Sequence, residues 1–273
     1  MPVWRGEPNI DGQELRLPGV GIKLRPAHVV ELLARCPKVI WFEEHAANYM
    51  YQAPTLSRLI SVREYYSLSL YGVAFSLGGP ASLDKDHLSG LTNLVERLDP
   101  FLVSEHLAWT GTDGVHFDDL VPPPYTKESL GTVSAYVLQT QGVVGRRMLI
   151  EKPPRYGGFR HSMIGETEFL AELVRRTGRG FLCDASNSYV GAYSIRVDPA
   201  RYFETPLVGT ACEIHLAGHT ASLIGDRTIL IDDHTSRVPW GVWALFCGQR
   251  DPTRRTTYPY RMGCGCSRAP CLG

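Results

Sequence analysis

The sequence of 273 residues lacks an excess of charge of either sign, because 28 Lys and Arg residues balance 28 Asp and Glu residues. A neutral chain has no long-range field that attracts a polyanion, so we expect neither nucleic acid nor a membrane as a partner. The sequence also has no apolar run near the ~20 residues that a membrane span needs, and its first residues lack the apolar core of a signal peptide. The predicted localisation is therefore cytoplasmic.

Sequence motifs of several common enzyme classes are also missing. No GxGxxG follows the first predicted strand, which argues against a dinucleotide-binding sheet. Neither GxSxG nor GxxxxGK[ST] occurs, so an α/β hydrolase and a nucleotide hydrolase would lack their usual residues. A disulfide framework is not expected, since Cys36, Cys183 and Cys212 stand singly in apolar segments, where a reduced buried thiol is the usual occupant.

Short β-rich runs alternate with longer helical patterns along the chain, which is the βαβ rhythm of an α/β protein. The runs are continuously apolar, as parallel strands covered on both faces require. A single (β/α)8 TIM barrel is therefore the predicted fold, with an open doubly wound sheet as the structural alternative. The eight predicted strands cover residues 19–24, 39–45, 68–76, 101–109, 147–154, 180–190, 211–219 and 228–234.

The end of the chain differs in composition from the rest. Residues 247–273 are rich in Cys and Arg, and their CGC run lacks the CxxC spacing of a zinc site. We therefore predict a barrel domain over residues 1–246, followed by an atypical, disordered tail.

Residues of metal-binding type stand at the C-terminal end of one predicted strand after another. A single His or Glu in such a place is more often a cap or a satisfied core group. Their repetition at the same end of six strands favours a metal site, because these ends converge on one face of a barrel. Mixed imidazole and carboxylate ligands suit iron, manganese or zinc. The residues are Glu43, His45, Glu105, His106, Glu151, Asp184, Asn187, His215, His219, Asp232 and His234.

The runs GVGIKLRPAH, WFEEHAANYM, VSEHLAW, LIEKPPRY, LCDASNSYV, EIHLAGH and LIDDH, in this order, resemble the DUF692, or UPF0276, family of multinuclear non-heme iron oxidases. The resemblance extends to about Phe246. It implies a xylose-isomerase-like TIM barrel with two or three iron ions and dioxygen as co-substrate. The implied substrate is a ribosomally synthesised precursor peptide with cysteine residues, often brought by a separate peptide-presenting protein.

The resemblance also implies roles for individual residues. Asn187 and His219 would be ligands or would contact the ligands, and His45 would orient substrate or a ligand. No residue is assigned to the chemical step itself. The metal ligands implied by the motifs are His106, Glu151, Asp184, His215, Asp232 and His234.

Three positions depart from the family pattern. Tyr71 stands where the family usually has a His ligand, Ala47 replaces a usual Glu, and Lys152 replaces a usual Asn and is expected to add a cation beside the site. These changes keep two other functions open. One is a degenerate, non-catalytic homologue with an impaired metal site, and the other is a divalent-metal isomerase or hydrolase, as in xylose isomerase or endonuclease IV.

Tyr71 is the residue that distinguishes an active iron site from an impaired one. Tyrosinate can ligate ferric iron, in which case Tyr71→Phe abolishes a visible charge-transfer band. The phenol oxygen lies further from the backbone than an imidazole nitrogen, so we favour Tyr71 as a space-filling residue. Tyr71→His should then raise iron per chain, because imidazole is a good iron ligand. A full iron complement in the wild type with no gain in Tyr71→His would contradict the impaired site.

Overall fold

The computed structural model describes residues 19–248, except 52, 113–114, 179 and 235, and also residues 261–264. Parallel strands and helices alternate along this part of the chain. The strands are β1 Gly19–Lys23, β2 Trp41–His45, β3 Ser67–Gly72, β4 Leu102–His106, β5 Trp109–Thr112, β6 Val115–Val121, β7 Met148–Glu151, β8 Phe181–Asp184, β9 Ala211–Leu216, β10 Thr220–Ile224, β11 Arg227–Ile231 and β12 Arg261–Cys264.

Helices follow most barrel strands and cover the outside of the sheet. The predicted N-terminus at Thr126 is confirmed, since its Oγ1 accepts a hydrogen bond from the backbone N–H of Ser129 at 3.2 Å. No helix in the described ranges is long and apolar enough to cross a membrane. The helices are α1 Val29–Arg35, α2 Ala47–Met50, α3 Ala53–Arg63, α4 Lys85–Leu98, α5 Lys127–Val144, α6 Glu166–Thr177, α7 Ala185–Ser194, α8 Ala200–Phe203 and α9 Trp240–Gly248.

The barrel is closed, with the strand order β1, β12, β9, β8, β7, β4, β3, β2 and parallel pairing throughout. Strands β3, β4, β7 and β8 are buried over their whole length, as expected for strands between a core and a helical layer. The predicted (β/α)8 fold is therefore confirmed, and the open-sheet alternative is wrong.

An apolar cluster fills one end of the barrel. Trp41, Phe101, Leu102, Leu149 and Leu182 are buried together, and the Trp41 and Phe101 rings meet edge to face with centroids 5.4 Å apart. Trp41 and Leu149 come early in their strands, whereas the polar side chains come at the strand ends. The cluster thus forms a rigid floor beneath the polar end of the barrel.

The prediction of residues 228–234 as the eighth barrel strand is wrong. Strand β11 pairs with β10 in an antiparallel hairpin, and the turn places Gly225 at φ 63°, which glycine adopts without strain. Only Leu230 of the run TILI is buried, because a hairpin outside the barrel is not covered on both faces. The apolar pattern alone does not distinguish a barrel strand from a strand in a hairpin outside the barrel.

The eighth position in the barrel belongs to β12, which pairs with β1 and β9. This strand lies within the segment predicted as a disordered tail. Residues 249–260 and 265–273 fall outside the described part of the chain, so their disorder stays a prediction. The same holds for the domain boundary at residue 246.

Gly21 offers a test of the barrel floor. A Cβ at Gly21 would collide with the indole ring of Trp41, so Gly21→Ala should lower the free energy of unfolding by about 1–3 kcal/mol. The matched control is Gly131→Ala, because nothing lies near its added Cβ on α5 and alanine favours a helix by about 0.5–1 kcal/mol. Urea unfolding compares the two, and equal stability of both variants would contradict the packing.

Candidate metal centre

The candidate site lies at the C-terminal ends of the barrel strands. Strand register sets neighbouring polar residues at one level, pairing His106 of β4 with Glu151 of β7, and Asp184 of β8 with His215 of β9. All four side chains are buried. The predicted convergence of strand ends on one face is therefore seen in the structure, and it gathers ionisable groups that water does not solvate.

His215 lies at the centre of this cluster. Its Nε2 is 3.0 Å from Oε1 of Glu43 and 3.6 Å from Oε1 of Glu213. Its Nδ1 is 3.8 Å from Oε2 of Glu151 and 3.9 Å from Oδ2 of Asp184. Two groups of three ligand atoms result, Glu43 with Glu213 and His215, and Glu151 with Asp184 and His215, each within 4.8 Å.

Burial and charge pull the pKa values of these groups in opposite directions. Burial lowers the pKa of His215, but the charge of Glu43 and hydrogen bonds to Glu213 and Glu43 outweigh it, so the pKa lies well above its ordinary value. Burial raises the pKa of Glu43, yet His215 brings it below its ordinary value. The pKa of Glu151 and of Asp184 is raised, mainly by burial. The cluster thus has more negative charge than it can bury without a cation.

The donor atoms fit a metal ion. Oδ1 of Asp184 accepts the backbone N–H of Asn187 at 2.8 Å, whereas Oδ2, buried and directed toward His215, accepts no hydrogen bond from the described residues. Asn187 donates through Nδ2 to Oε1 of Glu151 at 3.0 Å, and its own Oδ1 is likewise without a donor in this part of the chain. Buried oxygens of this kind are costly unless a cation or donor meets them.

His106 is oriented as metal-binding histidines usually are. Its Nδ1 lies 3.2 Å from the carbonyl oxygen of Gly72, to which it donates as the N–H tautomer. Nε2, 3.5 Å from Oε1 of Glu151, then keeps a lone pair facing the cluster. Burial lowers the pKa of His106 to about 4, so the imidazole is neutral and ready to bind a metal.

Asp232 and His234 reach the site although their strand lies outside the barrel. Nε2 of His234 is 2.9 Å from Oδ2 of Asp232, and His234 lines the same small cavity as His106, Glu151 and His215. Residue 234 has a left-handed backbone with φ 54°, and its N–H donates to the carbonyl of Gly218. The end of the hairpin is thereby folded back over the barrel.

The remaining predicted residues lie at the margin of the cluster. Tyr71 lines the cavity and meets the His45 ring edge to face, with centroids 4.9 Å apart. Burial, with Glu43 and Glu151, raises the pKa of Tyr71, which favours the neutral phenol. His219 does not line the cavity. It stacks on Tyr189 with centroids 5.3 Å apart.

Two of the three departures from the family pattern lie away from the cavity. Lys152 is buried, but its Nζ donates to the backbone carbonyls of Asn187 at 3.3 Å and Pro153 at 3.4 Å. Lys152 therefore lies behind Asn187 and not among the residues that line the cavity, because successive residues at a strand end face opposite sides. Ala47 lines a separate cavity with Glu105 and His87.

Sequence reasoning missed part of the cluster. Lys23 lines the cavity with Glu43 and Tyr71, and its Nζ is 4.3 Å from the centroid of the Tyr71 ring. Glu43 was noted only as a strand-end residue, and Glu213 was not noted. The available signal was alternation, since Glu213 and His215, two residues apart in one strand, face the same side.

The chain matches the family described as RiPP precursor modification enzyme MbnB/TglH/ChrH over residues 19–257. It belongs to this family. The match extends beyond residue 246, where the sequence resemblance was expected to stop. Relatives include a UPF0276 protein of Rhizobium meliloti (strain 1021), 41% identical over 83% of this chain and 79% of that protein. Another is a UPF0276 protein of Paraburkholderia phytofirmans, 40% identical over 83% of this chain and 75% of its own length.

Solved structures of low sequence identity share the fold. Endonuclease IV from Thermus thermophilus matches with a TM-score of 0.57 at 16% identity, over 93% of this chain and 94% of that chain. A 3-keto-D-glucoside 4-epimerase from E. coli matches with a TM-score of 0.55 at 13% identity, over 92% of each chain. These likenesses establish the fold alone.

His106 provides a test of the cluster as a metal centre. His106→Ala should lower bound iron by about tenfold or more, because it removes the imidazole that faces Glu151. His116→Ala is the control, since His116 lies exposed on β6 and should leave the iron content unchanged. Elemental analysis after anaerobic loading with Fe²⁺ measures both, and equal iron content in the two variants would count against the site.

Proposed function

We propose that this protein is a cytoplasmic, multinuclear non-heme iron oxidase that acts with dioxygen on cysteine residues of a ribosomally synthesised precursor peptide. The observation that carries the proposal is the buried group of Glu151, Asp184 and His215, in a chain of the RiPP precursor modification family. The family implies a peptide substrate. The mixed carboxylate and imidazole donors support iron.

The residues proposed to hold the metal ions are those that the family motifs imply, and the geometry of Glu151, Asp184 and His215 supports three of them. When bound, iron supplies the electron-transfer chemistry with dioxygen that protein side chains lack. Asn187, which bonds Glu151, is proposed to hold that carboxylate or to bind the metal itself. The ligands are His106, Glu151, Asp184, His215, Asp232 and His234.

The surrounding backbone fixes these side chains before any metal binds. The carbonyl of Gly72 sets the tautomer of His106, and the first turn of α7 holds Asp184 through the N–H of Asn187. Such contacts to ligand side chains typically change metal affinity by about 10- to 100-fold when removed. His45, beside Tyr71, is proposed to orient substrate. His219 is proposed to act near Asp232, since burial lowers the pKa of His219 and the charge of Asp232 raises it.

The open face of the barrel is the proposed entry for the peptide. Strands β10 and β11 stand beside the site and expose Leu223 and Ile224, which are 70% and 62% exposed. Tyr156 connects the β7 loop to this hairpin, since its hydroxyl accepts the N–H of Asp232 at 3.3 Å. We propose this hairpin as the contact for the peptide or for a peptide-presenting protein.

A non-catalytic homologue is the second candidate function. One observation favours it, because Lys23 and Tyr71 line the cavity in place of further metal ligands. Such a protein would bind the peptide but would hold too little iron to consume dioxygen. The isomerase and hydrolase alternatives have no support beyond the fold.

Oxygen uptake tests the proposal. The protein loaded with Fe²⁺ should consume dioxygen when given its cysteine-containing precursor peptide, and the peptide mass should change. The same peptide with Cys replaced by Ser should produce neither effect. Asp184→Asn should lower the rate about tenfold or more, because it weakens a buried ligand. Iron-loaded protein that binds this peptide without oxygen uptake would support the non-catalytic homologue instead.

A further inference from the structure

Lys23 is a charged residue of the cavity to which the proposed function assigns no role. It ends β1, and the strand register places it beside Glu43 of β2. Its Nζ lies over the Tyr71 ring, 4.3 Å from the centroid, an attractive arrangement for an ammonium group. Lys23, Glu43 and His215 all line the same cavity.

The cavity leaves little free space beside the ammonium group of Lys23. Its volume is about 20 Å³, roughly the space of one water-sized sphere. An ammonium group and a metal ion of similar size would also repel each other at such a separation. A cation bound by Glu43 must therefore compete with the ammonium group of Lys23.

The two groups of possible ligands differ in how near they lie to Lys23. Glu43, which belongs to the group with Glu213 and His215, faces Lys23 across neighbouring strands. Glu151 and Asp184 belong to β7 and β8, which are separated from β1 by β9 and β12 in the barrel. Asp184 also keeps a buried oxygen without a hydrogen bond from the described residues.

The other lysine near these strands does not provide the same charge. Lys152 is buried, but its ammonium group binds the backbone carbonyls of Pro153 and Asn187 and lies 5.3 Å from the centroid of the Tyr202 ring. Lys23 is thus the lysine whose charge faces the carboxylates of the cavity.

We propose that the ammonium group of Lys23 is a built-in cation on the Glu43 side of the cavity, where it excludes one metal ion. Metal binding is thereby restricted to the side formed by Glu151, Asp184 and His215. The inference rests on the proposed function only in taking this cavity to be a metal centre. Lys23 thus sets the number of bound metal ions although it is not itself a ligand.

The test is the number of iron ions per chain after anaerobic loading with Fe²⁺ alone and desalting. Lys23→Met removes the charge and keeps a long side chain, so it should hold one iron ion more per chain than the wild type. Lys23→Gln should give the same gain. The control is Lys38→Met, because Lys38 is exposed and precedes β2 at the opposite end of the strand, and it should give no gain.

A double variant locates the additional ion. Lys23→Met combined with Glu43→Gln should return to the wild-type count, because the new site loses its carboxylate. Tyr71→His alone leaves the ammonium group in place, so its gain should be smaller than that of Lys23→Met. Circular dichroism and the melting temperature confirm that each variant is folded.

The outcomes separate this inference from the proposed function. If the wild type binds iron but folded Lys23→Met and Lys23→Gln bind no more, Lys23 excludes no ion and the inference is overturned. A gain that Glu43→Gln does not remove would place the additional ion elsewhere and would also overturn it. If the wild type and all variants bind no iron, the proposed iron oxidase function fails.

Discussion

Buried carboxylates that need a cation are the constraint on which the rest of this site depends. Glu43, Glu151 and Asp184 surround His215 at the end of the barrel and are almost inaccessible to water. Burying ionised carboxylates costs several kcal/mol each by general estimates unless opposite charges compensate them. Without a metal ion, an imidazolium at His215 supplies one such charge, and a metal ion bound by His215 takes the place of one of its ring protons. Oδ2 of Asp184, which accepts no hydrogen bond from the described residues, leaves a place for a cation.

The structure divides this compensation between the protein and the proposed metal. On the β1 to β3 side, Lys23 and Tyr71 line the cavity with an ammonium group and a phenol. On the β7 to β9 side, Glu151, Asp184 and His215 keep the donor geometry of a metal ligand set. Tyr71, which departs from the family pattern, and Lys23 thus lie on the same side of the cavity.

Much of the fold could be predicted because parallel barrel strands leave a strong pattern of buried apolar runs. The same pattern failed at β11, since TILI is as apolar as a barrel strand but lies in an exposed hairpin. The positions of polar residues at the C-terminal ends of the predicted strands also predicted which residues lie close together, as for His106 and Glu151. Side-chain direction could not be predicted there, so the sequence did not show that Lys23 lines the cavity and Lys152 does not. One residue of register decides the side that a strand-end side chain faces.

The proposed metal ion binds between Glu151, Asp184 and His215. Crystals of the wild-type protein grown with Fe²⁺ under anaerobic conditions allow a direct test by anomalous diffraction at the iron edge. We expect an anomalous peak within coordination distance of Oδ2 of Asp184, with Glu151 and His215 as further ligands. A map with no peak in the cavity, or with iron only at the protein surface, would contradict it.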